Sequence, residues 1–567
     1  MILFISLFIK YTFFYFSLYL VGRAFIILIN KVLNNKVKVP SSILYIKSSL
    51  FYPIIGLVFL GNFLILVNFI LPLKSNSIFI ILFLFSLINF FEVEKKNLFK
   101  ITDINTFFYY IFIPCILIIS SYSISFHYDA GFYHLNHQNW LRESNMIIGM
   151  VNIFWAFGMS SIYEYISAVL WFDSSFIFLH FLNLIYVHFF LLIIWDNLLN
   201  KKFKIFKFLA FGILLVSLLD NFGLQGGRNG YLYLDAVTKQ DVTVGILFFF
   251  ISIVSFRCLE EKKINNLDTV CLSLLTLFVV QVKISSIFIF YIYIFLFLTL
   301  LLGRKITFKN TLKFHLPFLF FTNIWLLKSY YTTGCLIFPF TPTCKNSFSW
   351  YQKSNTRYAE ITTSSSSLGF IDYMHDQTRN FSDWIQDVVA YEFYFSIFIN
   401  FVATIIVLII VRQFLFVKKV PNKRVLVAQI SLILINSIYL AFFGPIPRYS
   451  VGVTLTVFSL FGFFIEKERF IFKKIIIFAM LIVSTIFIVR VDSYKNLIDG
   501  KSVAVFDPRF SAEYIQIDNK WFIPKEDDQC WINIDCLVVD PKNLGYELLI
   551  DDDENYFKVA KKKNINN

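Results

Sequence analysis

Apolar residues in this chain come in long unbroken runs rather than at the spacing of a half-buried helix or strand. A helix crosses a bilayer with about 20 apolar residues, and runs near that length recur along most of the sequence. They predict about fourteen hydrophobic segments, near 8–30, 49–72, 77–92, 105–123, 174–196, 208–220, 241–257, 269–282, 284–302, 314–330, 392–411, 425–443, 450–465 and 475–490. Several fall short of a full span and predict tilted, broken or re-entrant helices. The fold expected is an all-α integral membrane protein, with a polytopic domain over 1–490 and a tail over 491–567. The first run carries Arg23 and lacks a small-residue cleavage site, so it reads as a retained span rather than a signal peptide.

The polar connections fall into two alternating kinds. One kind is short and basic, as in Lys31, Lys36, Lys38 and Lys47, then Lys95, Lys96 and Lys100, then Arg257, Lys262 and Lys263. The other is poor in Lys and Arg and mostly longer: 73–76, 124–173, 221–240, 331–391, 444–449 and the tail. Basic loops stay on the cytoplasmic side. The alternation therefore predicts a multi-pass membrane protein with both termini outside. Composition agrees: 57% of residues are hydrophobic and 16% charged, against about 25% charged in a soluble domain. The net charge of +14 belongs to the basic loops and does not indicate nucleic acid.

Four of the seven cysteines, Cys335, Cys344, Cys530 and Cys536, fall in segments placed outside, where thiols oxidise. Proximity pairs Cys335 with Cys344 and Cys530 with Cys536. A zinc site is the alternative, although the two spacings are not those of common zinc modules.

Chemistry concentrates in the first long outer segment. His127, Asp129, Tyr133, His134 and His137 lie within eleven residues. A helix starting after Asp129 would set Tyr133 and His137 on its face. Asp129 reads as a general base for a hydroxyl, as a ligand for a divalent cation, or as a plain helix N-cap. The stretch 149–171 is amphipathic and reads as a helix along the membrane surface or as half of a kinked span. Arg228, in a glycine-rich turn, Lys283, at a span end, and Arg448, in a turn stiffened by two prolines, are candidate phosphate contacts; each also reads as an ordinary surface or snorkelling cation. Arg357 and Arg379 are weaker candidates, in a loop whose Thr362–Ser367 run reads as mobile, and the charged runs after Asp551 read as a solvated terminus.

Taken in order, Tyr128–Leu135, Gly149–Asn152, Lys283–Ser285, Thr333–Pro339, Pro445–Tyr449 and Gln529–Cys536 resemble an uncharacterised family of bacterial multi-pass membrane proteins named after a leptospiral locus. That family in turn resembles GT-C glycosyltransferases, which take a sugar from a polyprenyl-linked donor outside the membrane. The resemblance implies Asp129 as the base that activates an acceptor hydroxyl, in a loop with surface-lying helices, and matches Gly334–Pro339 to a later Gly/Pro stretch. Two departures stand out: four spans precede the Asp129 loop here, and the next acid, Glu143, is fourteen residues on.

The expected function is transfer of a sugar from a polyprenyl-phosphate donor to an envelope glycan or lipid-linked acceptor. Asp129 would be the base, Tyr133, His134 and His137 would hold substrate, and Arg228, Lys283 and Arg448 would meet phosphate. No cofactor is required on this reading beyond a divalent cation at most. An O-antigen or capsule polymerase is the first alternative. A lipid-linked glycan transporter, with Glu164 and His188 as its nearest span-borne groups, and a non-catalytic envelope scaffold are the others.

Overall fold

The computed structural model describes residues 2–33, 42–92, 104–172, 176–199, 236–237, 239–365, 370, 380–390, 416–418, 423–443, 465–468, 474–501, 513–517, 521–526, 528–538, 547–552 and 558–563, with isolated positions between 402 and 456. Arg228, Arg379 and Arg448 lie outside the described residues.

The chain is mostly helical, at 75%. Six described helices are long and apolar enough to cross a membrane: α1 (Ile2–Val32), α2 (Ser48–Asn68), α4 (Ile104–Ser123), α7 (Ile177–Leu199), α8 (Asp241–Glu261) and the stretch Ile284–Leu302 that holds α10 (Ile289–Leu302). The chain is a membrane protein on that ground. Other predicted segments form shorter helices. The run at 77–92 becomes α3 (Ser77–Ser86) followed by a 3₁₀ turn. Ten residues at about 1.5 Å each reach only about half the hydrocarbon core. α9 (Asn266–Val282) is also short, with 17 residues. Segments 208–220, 392–411 and 450–465 lie wholly or mostly outside the described residues.

Between an apolar bundle and lipid there is little hydrophobic drive, so helix contacts rest on close packing. α1 and α2 cross where Gly22 meets Gly56. A Cβ on Gly22 would stand 1.9 Å from the Tyr52 carbonyl oxygen, and one on Gly56 2.3 Å from that of Leu18. Buried polar side chains pair across the bundle. Asn62 and Gln281 exchange amide hydrogen bonds between α2 and α9. His188 on α7 bonds the Tyr11 hydroxyl through Nδ1 (3.0 Å) and the Tyr109 carbonyl through Nε2 (2.8 Å). That explains His188 as a helix tie.

The connections sort into two groups by contact. Tyr45 and Leu44, beside the hairpin β1 (Ser42–Ile43)–β2 (Ile46–Lys47), bond Glu261 and Asp268, and the Arg257 guanidinium sits 3.6 Å over the Tyr45 ring. The first long polar segment instead meets the chain near Lys239, the end of α12 (Leu316–Thr333) and the tail. β3 (Ser125–Phe126) pairs in parallel with β4 (Ala236–Val237), Gly149 donates to the Tyr331 carbonyl at 2.8 Å, and Asn496 bonds the Tyr122 carbonyl.

Two expectations change. The stretch 149–171 is neither a surface helix nor half a span. It breaks into 3₁₀ turns at Met150–Asn152 and Trp155–Met159 and a buried helix α6 (Ile162–Ala168). Its apolar side chains find protein on both faces. Phe154 and Phe157 pack with Trp140, and Ile162 and Ile166 press on Gly61 of α2. The Thr362–Ser367 run is helical as far as Ser365, at the end of α13 (Lys353–Ser365), which also carries Arg357.

Substituting Gly56→Leu should force α1 and α2 apart. Overpacking costs typically about 1–3 kcal/mol. The expected outcome is a clear fall in the melting temperature of the detergent-solubilised protein, with a smaller change for Gly303→Ala, whose Cβ would meet nothing closer than the Thr299 carbonyl of its own helix, at 3.1 Å.

Candidate functional site

The parallel pair β3–β4 sets two chain segments side by side, Ser125 opposite Ala236 and Phe126 opposite Val237. The residues just beyond each strand are thereby brought together. Asp129 Oδ2 lies 3.2 Å from His127 Nδ1 and 3.8 Å from Lys239 Nζ. Asp129 occupies the N-cap position of a π-helical turn, Ala130–His134, but its side chain makes no capping bond. Its carboxylate is 30% exposed, the most open carboxylate of the cluster. Burial pushes its pKa up, but the His127 hydrogen bond and the charges of Lys239 and His134 outweigh that and hold it well below the usual carboxylate range.

The π turn changes which residues share a face. A wider turn closes i→i+5 rather than i→i+4. In α5 (Leu135–Glu143) and the turn before it, His134 and Gln138 point together at Glu164, while His137 turns to Phe157. The expected alignment of Tyr133 and His137 with Asp129 is replaced by this one. Tyr133 is half-buried, with its ring 4.0 Å from that of His134.

Glu164, in the first turn of α6, is the centre of the cluster. It is 2% exposed. Its Oε1 lies 2.5 Å from His134 Nδ1 and accepts from Gln240 Nε2 at 2.8 Å; its Oε2 accepts from Gln138 Nε2 at 2.7 Å. Gln138 is itself held by the Trp171 indole N–H. A buried carboxylate needs such partners at each oxygen. Ser161 caps α6 by accepting from the Tyr163 amide and donates to the Val282 carbonyl, which fixes α6 against α9.

Three consecutive residues at the start of α8 then tie the cluster together. Lys239 faces Asp129, Gln240 bonds Glu164, and Asp241 Oδ1 sits 2.5 Å from Lys283 Nζ. Two sequence candidates, Asp129 and Lys283, therefore lie on one network. Lys328 joins from α12, donating to the Ser160 carbonyl at 2.6 Å.

The tail closes over the π turn. A disulfide joins Cys530 to Cys536, and another joins Cys335 to Cys344. Against the first long polar segment, Trp531 donates from its amide to the Gly131 carbonyl, Gln529 bonds the Tyr128 carbonyl, and Asn139 bonds the Ile532 carbonyl at 2.7 Å. Asn136 and the Tyr128 hydroxyl add bonds to Asn533 and Asp528. Gly131 is required there, since a Cβ would stand 2.8 Å from the Trp531 ring.

Among the described residues, no group of three or more His, Cys, Asp or Glu side chains could hold a metal ion. Asp129 offers one carboxylate beside an ammonium, a donor set that does not fit a divalent cation.

Sequence reasoning missed Gln138, Lys239, Gln240, Asp241 and Lys328 as members of the site. Their signal was present as polar residues at the edge of, or inside, apolar runs, where an ionisable group is costly and is retained for a reason.

The family model for DUF8201, a domain of unknown function, matches residues 1–455, and the chain belongs to that family. No curated protein and no solved structure matches it.

Because the folded carboxyl of Asp129 titrates below its unfolded value near 3.8, its ionised form adds stability above that value, lost as pH falls through the lower folded pKa. Lys239→Met removes a charge that holds it down. The carboxyl titration, followed by infrared difference against Asp129→Asn, should move upward, and acid unfolding should lose part of its dependence on Asp129.

Proposed function

We propose that this protein is a GT-C-like membrane glycosyltransferase that moves a sugar from a polyprenyl-phosphate donor to a glycan or lipid-linked acceptor in envelope synthesis. The observation that carries the reading is the Asp129 carboxylate. It is ionised, partly open, and fixed between His127 and Lys239 beside a buried polar network in an otherwise apolar bundle. The fourteen-span arrangement in the bacterial plasma membrane, with both termini outside and the tail 491–567 on the outer face, belongs to the same proposal.

A carboxylate held this acidic is a weak base. It suits a reaction whose transition state has oxocarbenium character, where the acceptor proton moves late. Asp129 first accepts a hydrogen bond from the acceptor hydroxyl. The bond from the anomeric carbon to the donor phosphate breaks, the phosphate leaving with the electron pair. The acceptor oxygen bonds that carbon, and its proton passes to Asp129. Tyr133 and His134 border the acceptor side. His134, fixed on Glu164, orients the turn that carries Asp129. Lys283, already steadied by Asp241, and Arg228 and Arg448 would offset charge on the leaving phosphate.

Surface glycans of a deletion strain provide the test, with either the native gene or Asp129→Asn restored at matched membrane levels. Native restoration with failure of Asp129→Asn is the expected result. Single repeat units after deletion, with a ladder restored by Asp129→Asn, would transfer the assignment to a polymerase. An unchanged glycan profile on deletion would remove both enzyme assignments and favour transport or scaffolding.

A further inference from the structure

We propose that the Lys328 ammonium and the His137 imidazole, where α5, α6 and α12 meet, form a binding site for a phosphate oxyanion. It does not depend on glycosyl transfer.

The starting observation is a buried charge with no counter-charge in contact among the described residues. Lys328 is 1% exposed. Of its three N–H donors, one goes to the Ser160 carbonyl at 2.6 Å, and the Trp325 ring lies 4.2 Å from Nζ. No carboxylate of the described residues lies within the 4.0 Å of an ion pair. The two other lysines of the cluster each face an acid, Lys239 on Asp129 and Lys283 on Asp241. Glu164 acts on Lys328 from further off, and its own oxygens are taken by His134, Gln138 and Gln240.

His137 supplies the second observation. It is 1% exposed, its ring stacks on Phe157 with centroids 5.1 Å apart, and its buried Nε2 has no partner. Burial, then the charges of Lys328 and His134, push its pKa well down, so the ring is neutral, and in its Nε2–H tautomer that nitrogen is a donor without an acceptor. Two unmet donor groups on facing elements, one of them charged, are answered together by a tetrahedral anion. A lysine point charge suits phosphate, whereas a planar carboxylate favours the fork of an arginine. The cation sits near the end of an apolar helix, so the phosphate comes from a lipid headgroup or from free phosphate.

Binding to the full-length protein in detergent distinguishes these, using a polyprenyl phosphate, the matching polyprenol and inorganic phosphate as probes. The native protein should bind polyprenyl phosphate at least about tenfold tighter than polyprenol, the worth of one charge-assisted hydrogen bond. Lys328→Met should erase that preference. Without ligand, its melting temperature should hold or rise, because a buried charge with no ion-pair partner is relieved. His137→Phe keeps the stack on Phe157 and should weaken the preference on its own, which preserves the test if Lys328→Met does not fold. Lys328-dependent binding of inorganic phosphate alone would support the site with a soluble anion as its ligand. A preference for phosphate that survives both substitutions, or no preference in the native protein, would overturn it; the gap would then be one for structural water. If Asp129→Asn abolishes glycan but phosphate binding ignores Lys328, this site fails and glycosyl transfer stands; the reverse pair of results separates them the other way.

Discussion

A carboxylate buried in an apolar bundle must be satisfied where it stands, and the structure around Glu164 follows from that. Its three bonds come from two separate parts of the chain: the continuous π turn and α5, through His134 and Gln138, and the start of α8, through Gln240. A hydrogen bond to a charged group contributes about 1.5–3 kcal/mol, so together these ties fix the segments that carry them. That is how α6, only seven residues long, stays in place between α2 and α9. It is also how the π turn keeps Asp129 aimed at Lys239 rather than at its own helix end.

The same constraint separates two kinds of acid in one site. Glu164 is closed off and fully bonded, which suits a positioning role. Asp129 is open on one side and held by the His127 imidazole and the Lys239 ammonium. The adjacent residues Lys239, Gln240 and Asp241 serve both acids and Lys283 as well. Three neighbours in sequence can do this only at a helix start, where the backbone has not yet settled into one face and successive side chains diverge. The short β3–β4 pair supplies the register that makes the meeting possible.

Much of the architecture was legible in the sequence because membrane burial writes itself as length and apolarity. Helices α1, α2, α4, α7 and α8 sit close to their apolar runs. What could not be read was the local winding. A π turn and 3₁₀ turns have no periodicity that five residues can display, so Tyr133 and His137 were expected on the face of Asp129. The stretch 149–171 misled for a related reason. An amphipathic pattern shows that one face is apolar but not whether lipid or protein covers it, and here Phe157 and Ile162 meet protein on every side. Asp129 was visible as a lone acid among histidines. Lys239, whose charge adds to the His127 bond in holding its pKa down, was not, because only the fold brings residues 110 apart together.

The tail gives the site its remaining constraint. A disulfide loop of six residues' separation has little core of its own, and this one is bonded on one side to Phe522 and Tyr514 of the tail and on the other to the segment that carries Asp129. The dependence runs both ways. The Trp531 amide donates to the Gly131 carbonyl inside the π turn. A turn this irregular would be costly if left to itself, so its geometry and the tail's position are one arrangement. The catalytic geometry proposed for Asp129 therefore extends beyond residues 1–455, and the residues after them belong to the site rather than to an appendage.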